Sequence, residues 1–314
     1  MTSKNILSSN GVHRLHHTFF VPTGKIIATL LIVHGMSEHS GRYAKFAQFL
    51  ADHGVLVLTY DQLGHGQTVK DKYELGFIDE KHPVQALCKD VVVAADALKA
   101  KAVELGSHDL PHFIIGHSMG SFVVRTVLIH HATSFDGAIL MGTGNHDSLI
   151  TKGMGAYLVL ANYLRPKQRN DRIANALNNY LLAKLRSPIS PSPFAWLAEN
   201  IDAIKAFEAD ELCGFAFSNN GFLTLQALIQ KASGAHWHAH LAPNFPILLI
   251  SGKDDPVGDM GQDILDLQHE LLMAGKLSTS VILYPNMRHE ILHEKEHNKV
   301  FDDITQWINA HGLS

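Results

Sequence analysis

Ser118 stands in the run "FIIGHSMGSFVV" (113–124), where an apolar stretch stops at Gly116 and apolar residues resume directly after Gly120. A strand that turns sharply into a helix strains the backbone of the residue at the corner. It also brings the flanking positions too close for side chains, which explains a glycine on either side. This is the G-x-S-x-G nucleophile elbow, and the strand before it and helix after it separate it from an ordinary glycine turn. The helix starting at Met119 aims its free N–H groups and positive dipole end at the serine, which favours a developing oxyanion.

A serine hydroxyl is a poor nucleophile until a base takes its proton, and an acid must orient that base. Both partners are expected after the serine, in the order acid then histidine. "ILLISGKDDPV" ends a strand at Gly252 and presents Asp254 and Asp255. Asp255 is favoured because it precedes Pro256, which biases it to extended backbone, and lies three residues past that glycine. "VILYPNMRHEI" ends a strand in a Pro-Asn turn and presents His289; His293 and His297, on or just before the last helix, read as surface residues. A second oxyanion donor is expected from "HGMSEHSGRY" (34–43). There Gly35 lets the backbone approach the substrate, and the Met36 N–H points inward beside that of Met119. His34 reads as a packing histidine of a buried turn.

The elements that must position these residues alternate along the chain. Strand-like runs at 17–22, 25–35, 55–60, 112–116 and 136–142 are separated by helical patterns at 43–54, 83–106 and 119–131. This is the signature of a sheet covered by helices, with chemistry at the carboxyl ends of its strands. After Gly142 the alternation stops until "FPILLISG" (245–252). A structureless loop of that length is foreign to a compact domain. Helical patterns at 153–164, 172–185 and 194–207 mark residues 143–244 as a helical cap (lid) inserted into a core of 1–142 and 245–314. Helix 261–275, strand 280–285 and a last helix over 294–311 complete the core.

Composition narrows the partners. The net charge of −4 offers no basic stripe for nucleic acid, and runs such as "IIATLLIV" (26–33) are too short to span a bilayer. The N-terminus lacks the apolar core of a secretory signal. Only Cys88 and Cys213 are present, read as small buried residues, so a cytoplasmic setting is expected. The histidines of "HWHAH" (236–240) would share a face were the segment a strand. No carboxylate or cysteine stands beside them, so no metal site is expected there.

Together "HGMSEHSGRY", "DQLGHGQT" (61–68), "GHSMGS", "DELCGF" (210–215), "GKDDPVG" and "YPNMRHEILHE" resemble the α/β-hydrolase superfamily. More narrowly they resemble its monoacylglycerol lipase and lysophospholipase-like branch, also labelled serine aminopeptidase-like. The resemblance is colinear from about residue 12 onward. Thr68 stands where serine is common, and Ser121 where glycine is frequent after the elbow. It implies an α/β-hydrolase fold, a mostly parallel central sheet flanked by helices. It also implies Ser118 as nucleophile, Asp255 as acid, His289 as base, and Met36 and Met119 as oxyanion donors, with no metal or cofactor.

The expected reaction is hydrolysis of lipid-type carboxylic esters through an acyl-enzyme on Ser118, failing as the pH drops through roughly 6–7, where a histidine base takes up a proton. Met154, Tyr157, Leu158, Val159 and Leu164, with Phe194, Trp196 and Leu197, pack the cap onto the sheet or line an acyl-chain tunnel with transient contact to a lipid surface. Gly35, Met154, Leu158 and Trp196 are the expected substrate-binding residues. Two other functions compete. A peptidase or amidase would need an acidic subsite, for which the cap offers Glu199, Asp202, Glu208 and Asp210. A non-catalytic scaffold of this fold would typically lack a triad residue, and this chain has all three.

Overall fold

A computed structural model describes residues 6–144, 155–187 and 189–312. Two short strands, β1 (Ile6–Leu7) and β2 (Arg14–Leu15), form an antiparallel hairpin that the sequence reading passed over. The main sheet has seven strands in the order β3-β5-β4-β6-β7-β8-β9. They are β3 (His17–Phe20), β4 (Ala28–Val33), β5 (Val55–Tyr60), β6 (His112–His117), β7 (Gly137–Met141), β8 (Ile247–Gly252) and β9 (Thr279–Tyr284). β3 is antiparallel to β5 at one edge and every other pair is parallel. β4, β5, β7 and β8 bury every residue and β6 all but His112, as a parallel sheet covered on both faces requires.

Register decides where the loops emerge. Val33 pairs with Gly116, His117 with Met141, and Gly252 with Tyr284. The carboxyl ends of β4, β6, β7, β8 and β9 therefore open on one rim, and the loops carrying Met36, Ser118, Asp255 and His289 leave from it.

Helices α1 (Ala44–Asp52), α2 (Pro83–Glu104), α3 (Met119–His131), α8 (Gln262–Met273) and α9 (His297–Gly312) cover the sheet. Between β7 and β8 the described residues form α4 (Gly155–Leu164), α5 (Asp171–Ala183), α6 (Ile201–Ala209) and α7 (Asn219–Ala232). The helix expected over 194–207 begins only at Ile201. Residues before it turn back, with Leu197 N–H donating to Phe194 O, and the Asn200 side chain caps the helix by accepting from Asp202 N–H.

The Ser218 side chain accepts from Gly221 N–H, so "NNG" (219–221) opens α7 and not a turn. α7 packs on α3. Its Phe222, Leu225, Leu228 and Ile229 join Leu158, Phe217 and Trp237 in the same hydrophobic cluster as Leu31, Val33 and Leu140 of the sheet. Segment 236–240 is a turn and not a strand. His238 is buried against Glu270 at 2.9 Å, while His236 and His240 are exposed.

Candidate active site

Ser118 sits between β6 and α3 at φ 51°, ψ −120°. A non-glycine residue there carries a strain of about 1–3 kcal/mol, held by the packing around it. Its N–H donates to Met141 O at 2.9 Å, tying the elbow to β7. The Ser121 hydroxyl lies 2.6 Å from Ser118 O and 2.7 Å from Thr143 Oγ1. A side chain at Gly116 would run into the Gly120 backbone, and one at Gly120 into the carbonyls of Val33 and His34. The two glycines are thus demanded by close approach of the strand, the helix and the neighbouring strand's end.

The structure brings Asp255 and His289 together. His289 Nδ1 lies 3.0 and 3.1 Å from the two Asp255 oxygens. Asp255 is fully buried, whereas Asp254 is exposed. Burial alone would raise the Asp255 pKa; the His289 charge and hydrogen bond, the Ser251 hydroxyl (2.8 Å) and Val257 N–H (2.9 Å) hold it below its ordinary value. His289 and Ser118 line one cavity with Gly35, Met36 and Met119. Among the described residues the Ser118 hydroxyl makes no hydrogen bond, and neither the Met36 nor the Met119 N–H meets an acceptor. Nucleophile–base bonds are often long in a free enzyme and tighten when substrate binds. A side chain at Gly35 would meet Glu38 Oε1 at 2.7 Å and Ser118 Cβ at 3.2 Å, so backbone alone fits there. His34 is a packing residue, with Nδ1 2.8 Å from Gly35 O and Nε2 accepting from Gln62 N–H.

Behind the rim lies a buried charge cluster that the sequence reading did not assign. Glu38 accepts from Gly35 N–H (2.6 Å), Arg42 Nη1 (2.7 Å) and Tyr43 OH (2.8 Å). Arg42 also grips both oxygens of Glu290 at 2.6 Å. Burial opposes both carboxylates' charges, yet Arg42 holds both below their ordinary values, and His117 adds to this at Glu38. One guanidinium thus joins the loop carrying Gly35 and Met36 to the residue after His289. The i,i+4 spacing of Glu38 and Arg42 hints at a local pair, but nothing local announces Glu290 as the third member. His293 is half-buried beside this cluster and not a plain surface residue; burial and the Arg42 charge lower its pKa to about 4.

The cavity holds about 400 Å³. Its walls are largely apolar, including Phe122, Leu177, Leu181, Phe194, Leu197, Phe207 and Phe215. Trp196 also lines it, its ring 5.3 Å from that of His289 and its Nε1 donating to Asn178 Oδ1 at 3.1 Å. Leu158 does not reach the cavity: it is fully buried in the main core cluster. Met154 lies outside the described residues. Cys88 and Cys213 are free and only half-buried, and burial pushes the Cys88 thiol up to about 12.

Comparison with known proteins adds to this geometry. The family model described as Hydrolase_4, serine aminopeptidase S33, matches residues 24–296. The chain belongs to this family. The S33 member is 23% identical to the monoacylglycerol lipase of Mycolicibacterium smegmatis, with 98% of each chain covered. It is 25% identical to the monoglyceride lipase of Homo sapiens over 93% of this chain and 85% of that protein. A thermostable carboxyl esterase from Bacillus coagulans, in complex with glycerol, superimposes with a TM-score of 0.89 at 23% identity, covering 98% of both chains. A soluble variant of the Saccharomyces cerevisiae monoglyceride lipase gives a TM-score of 0.71 at 19% identity, covering 100% of this chain and 97% of that one. The fold of this S33 member is that of the α/β-hydrolases, as its sequence resemblance implied. Among the described residues no helix is long and apolar enough to cross a membrane.

Proposed function

We propose that this protein hydrolyses lipid-type carboxylic esters, of the monoacylglycerol or lysophospholipid kind, through an acyl-enzyme on Ser118. The observation that carries this reading is the His289–Asp255 pair, 3.0 Å apart, on the same apolar cavity as an unbonded Ser118 hydroxyl. His289 Nε2 takes the Ser118 proton as Oγ attacks the ester carbonyl carbon. The oxyanion is received by the Met36 and Met119 N–H groups, and Asp255 stabilises the imidazolium. Collapse expels the alcohol, which takes the proton from His289; water, activated by the same base, then releases the fatty acid. Gly35 leaves room for the reacting carbonyl, and Trp196 packs the acyl chain beside the base. The monoacylglycerol lipases among the relatives support the substrate class.

Residues 143–244 act as the cap over this cavity. On α4, Tyr157, Val159, Leu160, Tyr163 and Leu164 neither pack on the sheet nor line the cavity, and Tyr163 is 83% exposed. Exposed Arg165, Lys167, Arg169 and Lys72 flank them, and Arg169 is tied to the Lys72 carbonyl. An apolar helix with a basic border suits transient contact with an anionic lipid surface. The two unpaired thiols favour cytoplasmic residence.

The peptidase reading gains nothing from the four cap carboxylates. None of them lines the cavity: Glu199 pairs with Arg288, Glu208 accepts from Ser192 Oγ, Asp210 pairs with His39, and Asp202 is exposed. Ser118→Ala is expected to lower kcat on the order of a million-fold with the fold intact; full activity in that variant would overturn the assignment. In a chain-length series of 4-nitrophenyl esters run beside aminoacyl amides, medium or long acyl chains are expected to be preferred steeply. Cleavage of amides alone would rule out the lipase reading.

A further inference from the structure

His117, next to the nucleophile, takes no part in the reaction as written, yet it is buried with an acceptor at each ring nitrogen. Nδ1 lies 3.2 Å from Glu38 Oε1, and Nε2 lies 3.2 Å from the backbone carbonyl of His289. A carboxylate and a carbonyl both accept only, so the ring satisfies both contacts by donating from both nitrogens, which makes it a cation. Its ring packs against that of His289, with centroids 4.7 Å apart and the planes tilted by 41°, and the Tyr43 ring lies 6.4 Å away.

The charge count around it points the same way. Glu38 and Glu290 share the single guanidinium of Arg42, which leaves the buried cluster one positive charge short. Buried charges persist only when matched. The remaining groups do not supply that charge. The Tyr43 hydroxyl already donates to Glu38, burial keeps His293 neutral near pH 7, and His289, the base, is turned to Asp255 through its Nδ1 and not to the cluster. We propose that His117 is a resident imidazolium that balances the Glu38–Arg42–Glu290 cluster and positions His289, by packing against its ring and holding its backbone carbonyl. It is a positioning residue: it links the loop of Gly35 and Met36, through Glu38, to the loop of the base. Burial works against its charge, but the Glu38 hydrogen bond and charge, with Glu290 and the His289 carbonyl, hold its pKa above the ordinary histidine value.

The kinetic arm of the test rests on the proposed role of His289 as base; the protonation arm does not. Imidazole ¹H–¹⁵N spectra of the wild-type protein, with His117 assigned by its absence from His117→Gln, read the proton count directly. Both His117 nitrogens are expected to carry protons at neutral pH, where an unperturbed histidine is mostly neutral. In Glu38→Gln the second proton is expected to leave at lower pH. On a soluble 4-nitrophenyl ester, wild-type kcat/KM is expected to fall on the alkaline side as that proton leaves, and this limb to vanish in His117→Gln. A His117 ring with one proton at neutral pH overturns the inference and leaves the hydrolase reading standing. So does a Glu38→Gln spectrum in which the His117 titration is unmoved, which keeps the test decisive should His117→Gln not fold.

Discussion

At the scale of single residues, Ser118, Asp255 and His289 were readable because each leaves a local mark: a serine between glycines, an aspartate before proline at a strand end, a histidine after a turn. Asp254 and Asp255 differ by one position, and a one-residue change of direction sends the first to solvent and the second beneath the imidazole. The Glu38–Arg42–Glu290 cluster left no such mark, since its members are charged residues that on most surfaces would be solvated. Replacing Arg42 by methionine would leave two buried carboxylates without their shared cation. A loss of about 3–5 kcal/mol is expected on the cost of breaking a buried pair. The urea midpoint of Arg42→Met measures it; a midpoint equal to that of the wild type would mean the cluster is hydrated.

Among the elements, strands and core helices were the most legible. β4, β6 and β8 are built on short apolar runs, and α2 opens with Pro83 at its first turn. The segment between β7 and β8 was less so. Its apolar positions at helical spacing do not say what they face: Leu158 enters the core, while its neighbours Tyr157 and Val159 stand in solvent. Tyr163→Ser combined with Leu164→Ser removes only exposed surface, so stability is expected to stay within about 0.5 kcal/mol. Turnover of a monoacylglycerol in anionic vesicles is expected to fall, while turnover of a soluble short-chain ester holds. An equal fall on both substrates would remove the case for lipid contact by α4.

For the molecule as a whole, burial in a shared core sets the response to acid. His34, His65 and His293 are kept neutral: burial lowers all three, with the His34 ring acting on His65 and Arg42 on His293, to about 3 for His65 and about 4 for His293. In the unfolded chain a histidine takes up its proton near pH 6.5. Below that value the unfolded state binds more protons than the folded one, so their stabilising effect, complete above pH 6.5, is lost as the pH falls toward these depressed values. Glu38, Glu290 and Asp255, held below their ordinary values, extend the loss at still lower pH. Glu294 and Asp90, raised by burial, and His117, raised by Glu38, oppose it. The thermal midpoint is expected to drop between about pH 7 and pH 5, ahead of the ordinary carboxylate range; a flat midpoint over that interval would show that these rings carry protons in the folded state.

The amino-acid sequence by itself determined the sheet, its helical cover and the sharp glycine-flanked corner at Ser118, because hydrophobic period, glycine spacing and turn chemistry are properties of neighbours along the chain. Only the tertiary structure decided that Leu158 packs in the core and not on the cavity, and that Glu38, Arg42, His117 and Glu290 share one buried cluster. Those are contacts between residues up to 248 positions apart, Arg42 to Glu290. They exist because parallel register delivers five strand ends to one rim, and short-range pattern carries no record of register between strands far apart in the chain.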